Sequence, residues 1–327
     1  MFPALAAQGL RAFLSAIERP RIIFWSTVAG VVLNALLNWA LIFGNWGAPE
    51  MGVRGAAIAS LGTTALTFAV LAVHVVLDRK AADYEIFARF WRPNWPDLRD
   101  VLRIGVPISI TILAETAMFV FASVMMGWLG VVPLAAHGIA LQTASATFMV
   151  HLGFGNVATI RAGNALGRND PEHLARGART VLGLSLAMSL MTIALFLTLP
   201  HLLVGAFIDP ADPAREAIVA TGVTLLAVAA LFQLVDGAQV VALGILRGMQ
   251  DTRVPMWIAV FSYWVPGFGT AMVLGFATPL AGVGVWLGLA TGLAFAAVLL
   301  TWRWARREAL GLTRVQPDAK RVRPPSA

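Results

Sequence analysis

The sequence predicts an all-α membrane protein that crosses the bilayer several times, and three observations support this prediction. Of its 327 residues, 58% are hydrophobic and only 13% are charged, whereas soluble domains are about a quarter charged. The mean hydropathy is +0.77, and the apolar residues form runs of about 20, long enough for a helix to cross the hydrocarbon core. The basic residues fall between these runs, so the net charge of +7 indicates membrane topology rather than nucleic-acid binding.

Eight runs are predicted to be transmembrane helices, because their lengths suit helices better than the alternating strands of a barrel. They cover residues 22–43, 56–77, 104–127, 134–160, 180–199, 219–246, 254–276 and 281–302. Residues 1–16 have the pattern of the end of another helix. The sequence has no Cys, which excludes disulfides and thiolate metal sites.

The basic residues also predict the orientation of the chain. All Lys and Arg residues except Arg54 and Arg215 fall on one side of the predicted spans. The positive-inside rule assigns that side to the cytoplasm. With eight spans, both ends of the chain are then expected to be cytoplasmic.

Two stretches resemble each other and predict an internal repeat. LRAFLSAIERPRI, residues 10–22, aligns with LRGMQDTRVPM, residues 246–256, and each has a Leu-Arg pair, a polar turn and a Pro before a long span. The copies are six spans apart and so have the same orientation, which is typical of two bundles related by a pseudo-two-fold axis along the membrane normal. The chain is then expected to hold one complete six-helix lobe and the last two helices of a second lobe.

This repeat divides the chain into four predicted segments. Residues 1–77 are part of an N-terminal lobe, 78–103 a cytoplasmic linker with an interfacial amphipathic portion, 104–303 the C-terminal six-helix lobe, and 304–327 a basic cytoplasmic tail. On this interpretation the chain lacks roughly the first four transmembrane helices of a larger protein.

Two acidic residues, Glu115 and Asp236, lie in the middle of predicted spans. A charged side chain at mid-bilayer costs roughly 2.5–3.5 kcal/mol on insertion scales, so such residues usually have a function. Each is about 16 Å from the inner end of its span at 1.5 Å per residue. Two carboxylates at one depth could hold Na⁺ through oxygen ligands or carry a proton. A protonated acid bonded to a neighbouring helix is the structural alternative.

Amide side chains accompany the two acids. Gln233 and Gln239 flank Asp236 at three residues on either side, on or near one face of the helix. Gln142 and Asn156 lie on the fourth predicted span. These four residues are predicted to line a cavity, with hydrogen bonding between helices as the alternative.

Other features concern helix shape and excluded chemistry. Pro107 frees a backbone carbonyl and is predicted to bend the helix that carries Glu115. His137 and His151 are predicted to be interfacial or packing residues rather than metal ligands, because no HExxH-type spacing accompanies them. No P-loop and no GxSxG elbow is present. The sequence therefore predicts no enzyme, no cofactor and no metal beyond a possible Na⁺ at Glu115 and Asp236.

Three runs of sequence resemble the multidrug and toxic compound extrusion (MATE) transporters of the NorM-like bacterial branch. They are PISITILAETAMFVFASVMMGWLG (107–130), LAAHGIALQTASATFMVHLGFGNVATIRAGNALG (134–167) and LFQLVDGAQVVALGILRGMQD (231–251), and Tyr-Trp at 263–264 adds to them. The resemblance implies two six-helix lobes in the bacterial inner membrane and alternating access. It also implies export of small organic, often cationic, compounds driven by Na⁺ or H⁺.

Carried over by residue, Glu115 and Asp236 match the acids that bind the coupling cation in NorM-like proteins. Phe232 stands where some relatives have a Tyr near the cation, and it is expected to line the cavity. The resemblance also implies an acid in the opening helices of the first lobe, but no predicted span within residues 1–77 contains one.

Two alternatives to a transporter of this type stay open. One is a non-transporting remnant or an interaction partner, with a second protein that supplies the missing helices. The other is a lipid-linked precursor flippase, which should have cationic side chains inside its cavity. The expected partners are small organic substrates and the lipid bilayer, and not nucleic acid.

Overall fold

The structure is a computed structural model that describes residues 2–78, 84, 86 and 94–313. Every regular element in that part of the chain is helical, so the all-α prediction is confirmed. The helices form two units, Met1–Asn94 and Trp95–Ala327. The predicted linker residues 79–83, 85 and 87–93 and the tail residues 314–327 lie outside the described part.

In its described residues, the first unit contains three helices and one short 3₁₀ turn, Asn45–Gly47. The helices are α1 (Phe2–Ala16), α2 (Pro20–Phe43) and α3 (Val53–Leu77). Pro20 suits the start of α2, where its missing N–H is not needed, and Gly44 ends α2 in the left-handed region with φ 69°. α3 packs against both α1 and α2.

Eight further α-helices lie in the part of the second unit that the structure describes, residues 95–313. They are α4 (Trp95–Leu129), α5 (Val131–Gly167), α6 (Pro171–Thr198), α7 (Pro200–Gly205), α8 (Arg215–Gly248), α9 (Arg253–Ser262), α10 (Phe268–Phe276) and α11 (Gly282–Ala305). α8 is central, because it packs against α5, α6, α7 and α11 and is buried along most of its length. Its acidic first turn (Glu216) and basic last turn (Arg247) both suit the helix dipole.

The helices match the predicted spans with several differences, among them α6, which begins at Pro171 instead of residue 180. Among the described helices, seven are long and apolar enough to cross a membrane, with α9 and α10 taken together. α5, which contains the predicted span 134–160, has 37 residues but is not among the seven, since polar side chains such as His137 and Gln142 interrupt its apolar run. α4 begins at Trp95 instead of residue 104, so the last part of the predicted linker is helical.

The predicted span 254–276 is interrupted by a π-helical turn, Tyr263–Gly267. Pro266 lies inside this turn and has no N–H, so the regular α-helical hydrogen-bond ladder cannot continue through it. Single π turns of this kind often occur at functional sites. This turn is an unpredicted feature of the span.

Glycines allow the central helices to approach closely. A Cβ at Gly244 on α8 would lie 2.3 Å from the carbonyl oxygen of Gly155 on α5. Thr159 joins the same two helices, since its hydroxyl lies 2.9 Å from the carbonyl oxygens of both Gly155 and Gly244. Small residues at four-residue spacing are typical of close helix packing in membranes.

The two units contain the same turn at the predicted repeat. Glu18 and Gln250 both have φ 60°. In each turn, the amide of the next residue donates to a carbonyl five residues back, Arg19 to Leu14 at 2.9 Å and Asp251 to Leu246 at 3.0 Å. By these hydrogen bonds, Leu14 is the equivalent of Leu246. The Leu-Arg alignment placed Leu10 opposite Leu246, so the two alignments differ by four residues, about one helical turn.

An ion pair follows this turn in both units, with its charges reversed. In the first unit Arg19 Nε lies 3.5 Å from Asp78 Oδ2, just after α3. In the second unit the equivalent turn residue is Asp251, whose Oδ2 lies 2.6 Å from Arg303 Nε in the last turn of α11. Both pairs fix the turn against the end of the following helical hairpin.

We expect the two pairs to differ in strength, because their exposure differs. The Arg303 and Asp251 side chains are 15% and 9% exposed, whereas Arg19 is 44% exposed. Arg303→Ala should lower the stability by about 1–3 kcal/mol, since it leaves a shielded carboxylate unpaired. Arg19→Ala should cost less than about 1 kcal/mol. Thermal unfolding in detergent, followed by Trp fluorescence, measures both.

The reversed double variant Asp251→Arg/Arg303→Asp provides the control. It should recover a large part of the stability that Arg303→Asp loses, because it rebuilds the ion pair with the Arg in the turn and the Asp at the end of the hairpin, as in the first unit. Equal losses in the single and double variants would show that this contact does not stabilise the protein.

Candidate functional site

The two intramembrane acids are carried by α4 and α8. α4 packs closely against α5, α9, α10 and α11. Long side chains connect it with α8, such as Phe119, whose ring centroid lies 6.0 Å from that of Phe232. The two acids thus lie on helices that are linked by side chains.

Asp236 lies in the middle of α8 and is only 2% exposed. Its Oδ1 atom is buried and has no hydrogen-bond partner in the described part of the chain. An unpaired carboxylate oxygen is costly to bury, so each one needs an explanation such as an ion or a proton.

Glu115 on α4 is half-buried and interacts electrostatically with Asp236. The structure thus brings together the two acids that the sequence placed at one depth. Gln239 links them to a third element: it is a hydrogen-bond partner of Glu115, and its Nε2 donates to the Tyr263 hydroxyl at 2.5 Å. Gln239 Oε1, like Asp236 Oδ1, is buried without a partner among the described residues.

Two residues of this cluster were missed as site residues. Tyr263 is fully buried and begins the π-helical turn. Arg247, in the last turn of α8, interacts electrostatically with both Glu115 and Tyr263. The Pro266 in a long apolar run was the signal for the turn. Nothing in the sequence showed that the Arg247 guanidinium faces the acids rather than the inner water.

The two glutamines beside Asp236 do not share its surroundings. Gln233 Nε2 donates to Ala144 O at 3.1 Å and to Thr147 Oγ1 at 2.7 Å, both on α5. A step of three residues turns a helix by about 60° in the reverse sense, so Gln233 and Gln239 are about 120° apart with Asp236 between them. Gln239 therefore belongs to the acid cluster and Gln233 to the contact with α5.

The other residues predicted to line a cavity have varied positions. Phe232 is 3% exposed, and its ring packs against Trp286 as well as Phe119. Gln142 and Asn156 are exposed on α5. Pro107 is buried within α4, which stays helical through it.

His137 and His151 are both buried and hydrogen-bonded within the second unit. Trp286 Nε1 donates to His137 Nδ1 at 3.1 Å, so His137 Nε2 carries the proton and donates to Ser123 Oγ at 3.0 Å. His151 Nδ1 lies 2.9 Å from Ser185 Oγ. These contacts agree with the packing roles predicted for both residues.

The arrangement suits reversible binding of one small cation. Carboxylate and amide oxygens are ligands for hard cations, and Asp236 Oδ1 and Gln239 Oε1 are both free for this role in the described structure. No group of three or more His, Asp or Glu side chains converges within the described residues.

Comparisons with known proteins agree with this architecture. The family profile described as MatE matches residues 107–273. The chain is 44% identical over 306 residues to the "Probable multidrug resistance protein NorM" of Rhizobium meliloti (strain 1021), a match that covers 94% of this chain and 66% of that protein. It is 42% identical over 296 residues to the "Multidrug resistance protein NorM" of Burkholderia vietnamiensis, covering 90% and 63%.

Solved structures show the same fold at lower identity. The eukaryotic MATE transporter AtDTX14 superposes with a TM-score of 0.78 at 21% identity, covering 94% of this chain and 68% of that one. A MATE in complex with MaL6 gives a TM-score of 0.82 at 22% identity, covering 95% and 68%.

The fold defines a helical protein with seven candidate membrane spans among the described residues. The chain belongs to the MatE family. It spans slightly less than two thirds of the length of the curated relatives that it matches, 66% of the Rhizobium protein and 65% of the Brucella suis one.

Proposed function

We propose that the chain contains the ion-coupling lobe of an exporter that moves small organic compounds out of a bacterial cell in exchange for Na⁺ or H⁺. The single observation that carries the proposal is the buried Asp236 Oδ1, which has no partner in the described structure and belongs to a side chain that interacts electrostatically with a second acid, Glu115. Organic compounds are proposed as substrates because the relatives are named as multidrug resistance proteins.

The charges of the cluster support exchange of one monovalent cation. Glu115 and Asp236 together carry two negative charges when ionised, and Arg247 supplies one positive charge. One negative charge is left, which a single Na⁺ or H⁺ neutralises. In a low-dielectric membrane interior an uncompensated charge is strongly disfavoured, so cation binding and conformation should be coupled.

The π-helical turn offers a route from the bound cation to the fold. Gln239 touches Glu115 and also donates to Tyr263, the first residue of that turn. A cation that draws Glu115 and Asp236 together would pull on this hydrogen bond at the point where α9 and α10 are least regular. Broken helices are common at the ion sites of transporters.

Location and orientation belong to the same proposal. The bacterial inner membrane suits the family, and cytoplasmic chain ends suit the one-sided distribution of Lys and Arg. Proteoliposomes that contain the purified chain test the function directly. An imposed Na⁺ or pH gradient should drive ethidium transport. The gradient that drives it identifies the coupling ion. Identical ethidium movement with and without either gradient would favour a non-transporting partner or remnant.

Tyr263→Phe should weaken the cation site without unfolding the protein. The substitution keeps the buried ring but removes the hydroxyl that accepts from Gln239, so Gln239 is no longer held in place beside Glu115. We expect about a threefold to tenfold loss in apparent cation affinity, measured as the ion dependence of the transport rate. Tyr84→Phe is the matched control, since Tyr84 is the only other Tyr and is 64% exposed. Equal affinities in both variants would contradict this role.

A further inference from the structure

A closed ring of side-chain contacts joins α4, α5, α11 and α8 beside the two acids. Phe119 lies four residues after Glu115 on α4, and Phe232 lies four residues before Asp236 on α8. Four residues are about one helical turn, so each ring lies near the same face of its helix as the acid. The contact between the two rings therefore bridges the two helices one turn away from the acids.

Hydrogen bonds close the ring of contacts on its other side. Trp286 on α11 packs edge-on against Phe232, with centroids 5.8 Å apart, and its Nε1 donates to His137 Nδ1 at 3.1 Å. His137 on α5 in turn donates from Nε2 to Ser123 Oγ on α4 at 3.0 Å. Ser123 donates its own proton to the backbone carbonyl oxygen of Phe119 at 3.1 Å. The chain of contacts thus returns to the residue from which it began.

His137 is the residue that this ring cannot lose. Its neutral imidazole accepts at Nδ1 and donates at Nε2, so one side chain satisfies both Trp286 and Ser123. His137 and Trp286 are 1% and 0% exposed, so bulk water cannot replace either hydrogen bond. An apolar side chain in place of His137 would leave the buried indole N–H without its acceptor.

The ring is suited to fix the spacing between α4 and α8. α4 packs closely against α5, α9, α10 and α11 and reaches α8 through long side chains. The distance between two helices depends on the side chains at their contact, which here include Phe119 and Phe232. Trp286 packs against Phe232 and so limits the movement of that ring. Ligands must be held to within about 0.5 Å of their productive positions, so a change in this spacing should weaken a cation site between the two helices.

We propose that His137 and Trp286 are positioning residues for the acid pair. The ring that they complete holds α4 and α8 at the separation at which Glu115 and Asp236 bind their cation. Both residues act on the acids through the two phenylalanine rings. The inference rests on the proposed function, because it concerns the affinity of that cation site.

Cation binding to the purified full chain in detergent tests the inference. Radioactive Na⁺ binding and proton uptake are measured over a range of Na⁺ concentrations and pH. His137→Leu removes both hydrogen bonds and should lower the cation affinity by roughly threefold to tenfold. His137→Gln should restore most of the affinity, because its amide oxygen can accept from Trp286 and its amide N–H can donate to Ser123. Equal affinities in His137→Leu and the unaltered chain would overturn the inference.

His151→Leu is the matched control for loss of a buried histidine. His151 also lies on α5, is 0% exposed and bonds to Ser185 Oγ on α6 at 2.9 Å, outside the ring. Its replacement should lower the unfolding temperature, as His137→Leu does, and leave the cation affinity unchanged. An equal loss of affinity in both variants would show that any loss of packing weakens the site, and would overturn the positioning role.

Trp286→Phe gives a second test if His137→Leu does not fold. It keeps an aromatic ring against Phe232 and removes the N–H that donates to His137. The cation affinity should again fall severalfold, and an unchanged affinity would overturn the inference. An unaltered chain that takes up no cation would contradict the proposed function itself, whereas equal binding by the unaltered chain and these variants contradicts the positioning role alone.

Discussion

Asp236→Asn is expected to abolish gradient-driven efflux. The substitution keeps the shape of the side chain and removes one negative charge, so Glu115 and Arg247 then balance each other and no cation is required. The interaction of Asp236 with Glu115 and its unpartnered Oδ1 are the observations behind this expectation. Glu115→Gln should have the same effect, because it leaves Asp236 and Arg247 balanced. We expect the initial rate of ethidium efflux to fall at least tenfold in each variant.

The measurement uses cells that lack their own exporters and express this chain, with ethidium fluorescence as the readout. Glu216→Gln is the matched control, since Glu216 is an exposed acid in the first turn of the same helix, α8. It should retain the efflux of the unaltered protein. Efflux that is as fast in Asp236→Asn as in Glu216→Gln would contradict the role of the acid pair.

Gly244→Ala is expected to destabilise the second unit. The added Cβ would lie 2.3 Å from the Gly155 carbonyl oxygen, which is backbone and cannot rotate away. α5 and α8 must therefore separate, which also disturbs the bond from Thr159 to the Gly244 carbonyl. Overpacking of this kind costs about 1–3 kcal/mol, which corresponds to a fall of roughly 3–10 °C in Tm.

Gly153→Ala separates this clash from the general effect of Ala in a helix. Gly153 lies on α5, two residues before Gly155, and a Cβ there would have nothing within 4 Å. Since Ala favours a helix more than Gly does, this control should unfold at the same temperature as the unaltered protein or higher. If both variants melt together, the close approach of α5 and α8 is not required for stability.

The sequence predicted the helices well because a long apolar run in a membrane protein can form only one regular structure, a helix. Hydrocarbon offers no hydrogen bonds, so each run must satisfy its own backbone as a helix. The predicted ends of α2 and α3 lie within a few residues of Pro20–Phe43 and Val53–Leu77. The two acids were also found from sequence, since a charge at mid-span stands out from its apolar neighbours.

Features that depend on packing between helices could not be found in this way. Glu115 and Tyr263 are far apart in sequence, and only the fold brings both to Gln239. The shared turn shows the same limit. Aligning the two Leu-Arg pairs makes Leu10 the equivalent of Leu246. The backbone hydrogen bonds of the turns instead make Leu14 the equivalent of Leu246. Sequence similarity does not record which carbonyl closes a turn.

When the two turns are compared by their hydrogen bonds, an ion pair at equivalent positions becomes visible that the sequence alignment does not show. Arg19 and Asp251 have opposite charges and therefore do not align as similar residues. Each nevertheless pairs with the end of its own hairpin, Arg19 with Asp78 and Asp251 with Arg303. The two turns therefore make the same kind of ion pair, with the signs of both partners exchanged.

The charge balance of the cluster is the central claim, and cation binding to the purified chain tests it most directly. Radioactive Na⁺ bound at equilibrium and protons taken up, followed with a pH indicator, are measured on the same sample in detergent. The account predicts one monovalent cation, Na⁺ or H⁺, per unaltered chain, and none at this site in Asp236→Asn or Glu115→Gln. Equal cation uptake by the unaltered chain and both variants would contradict it.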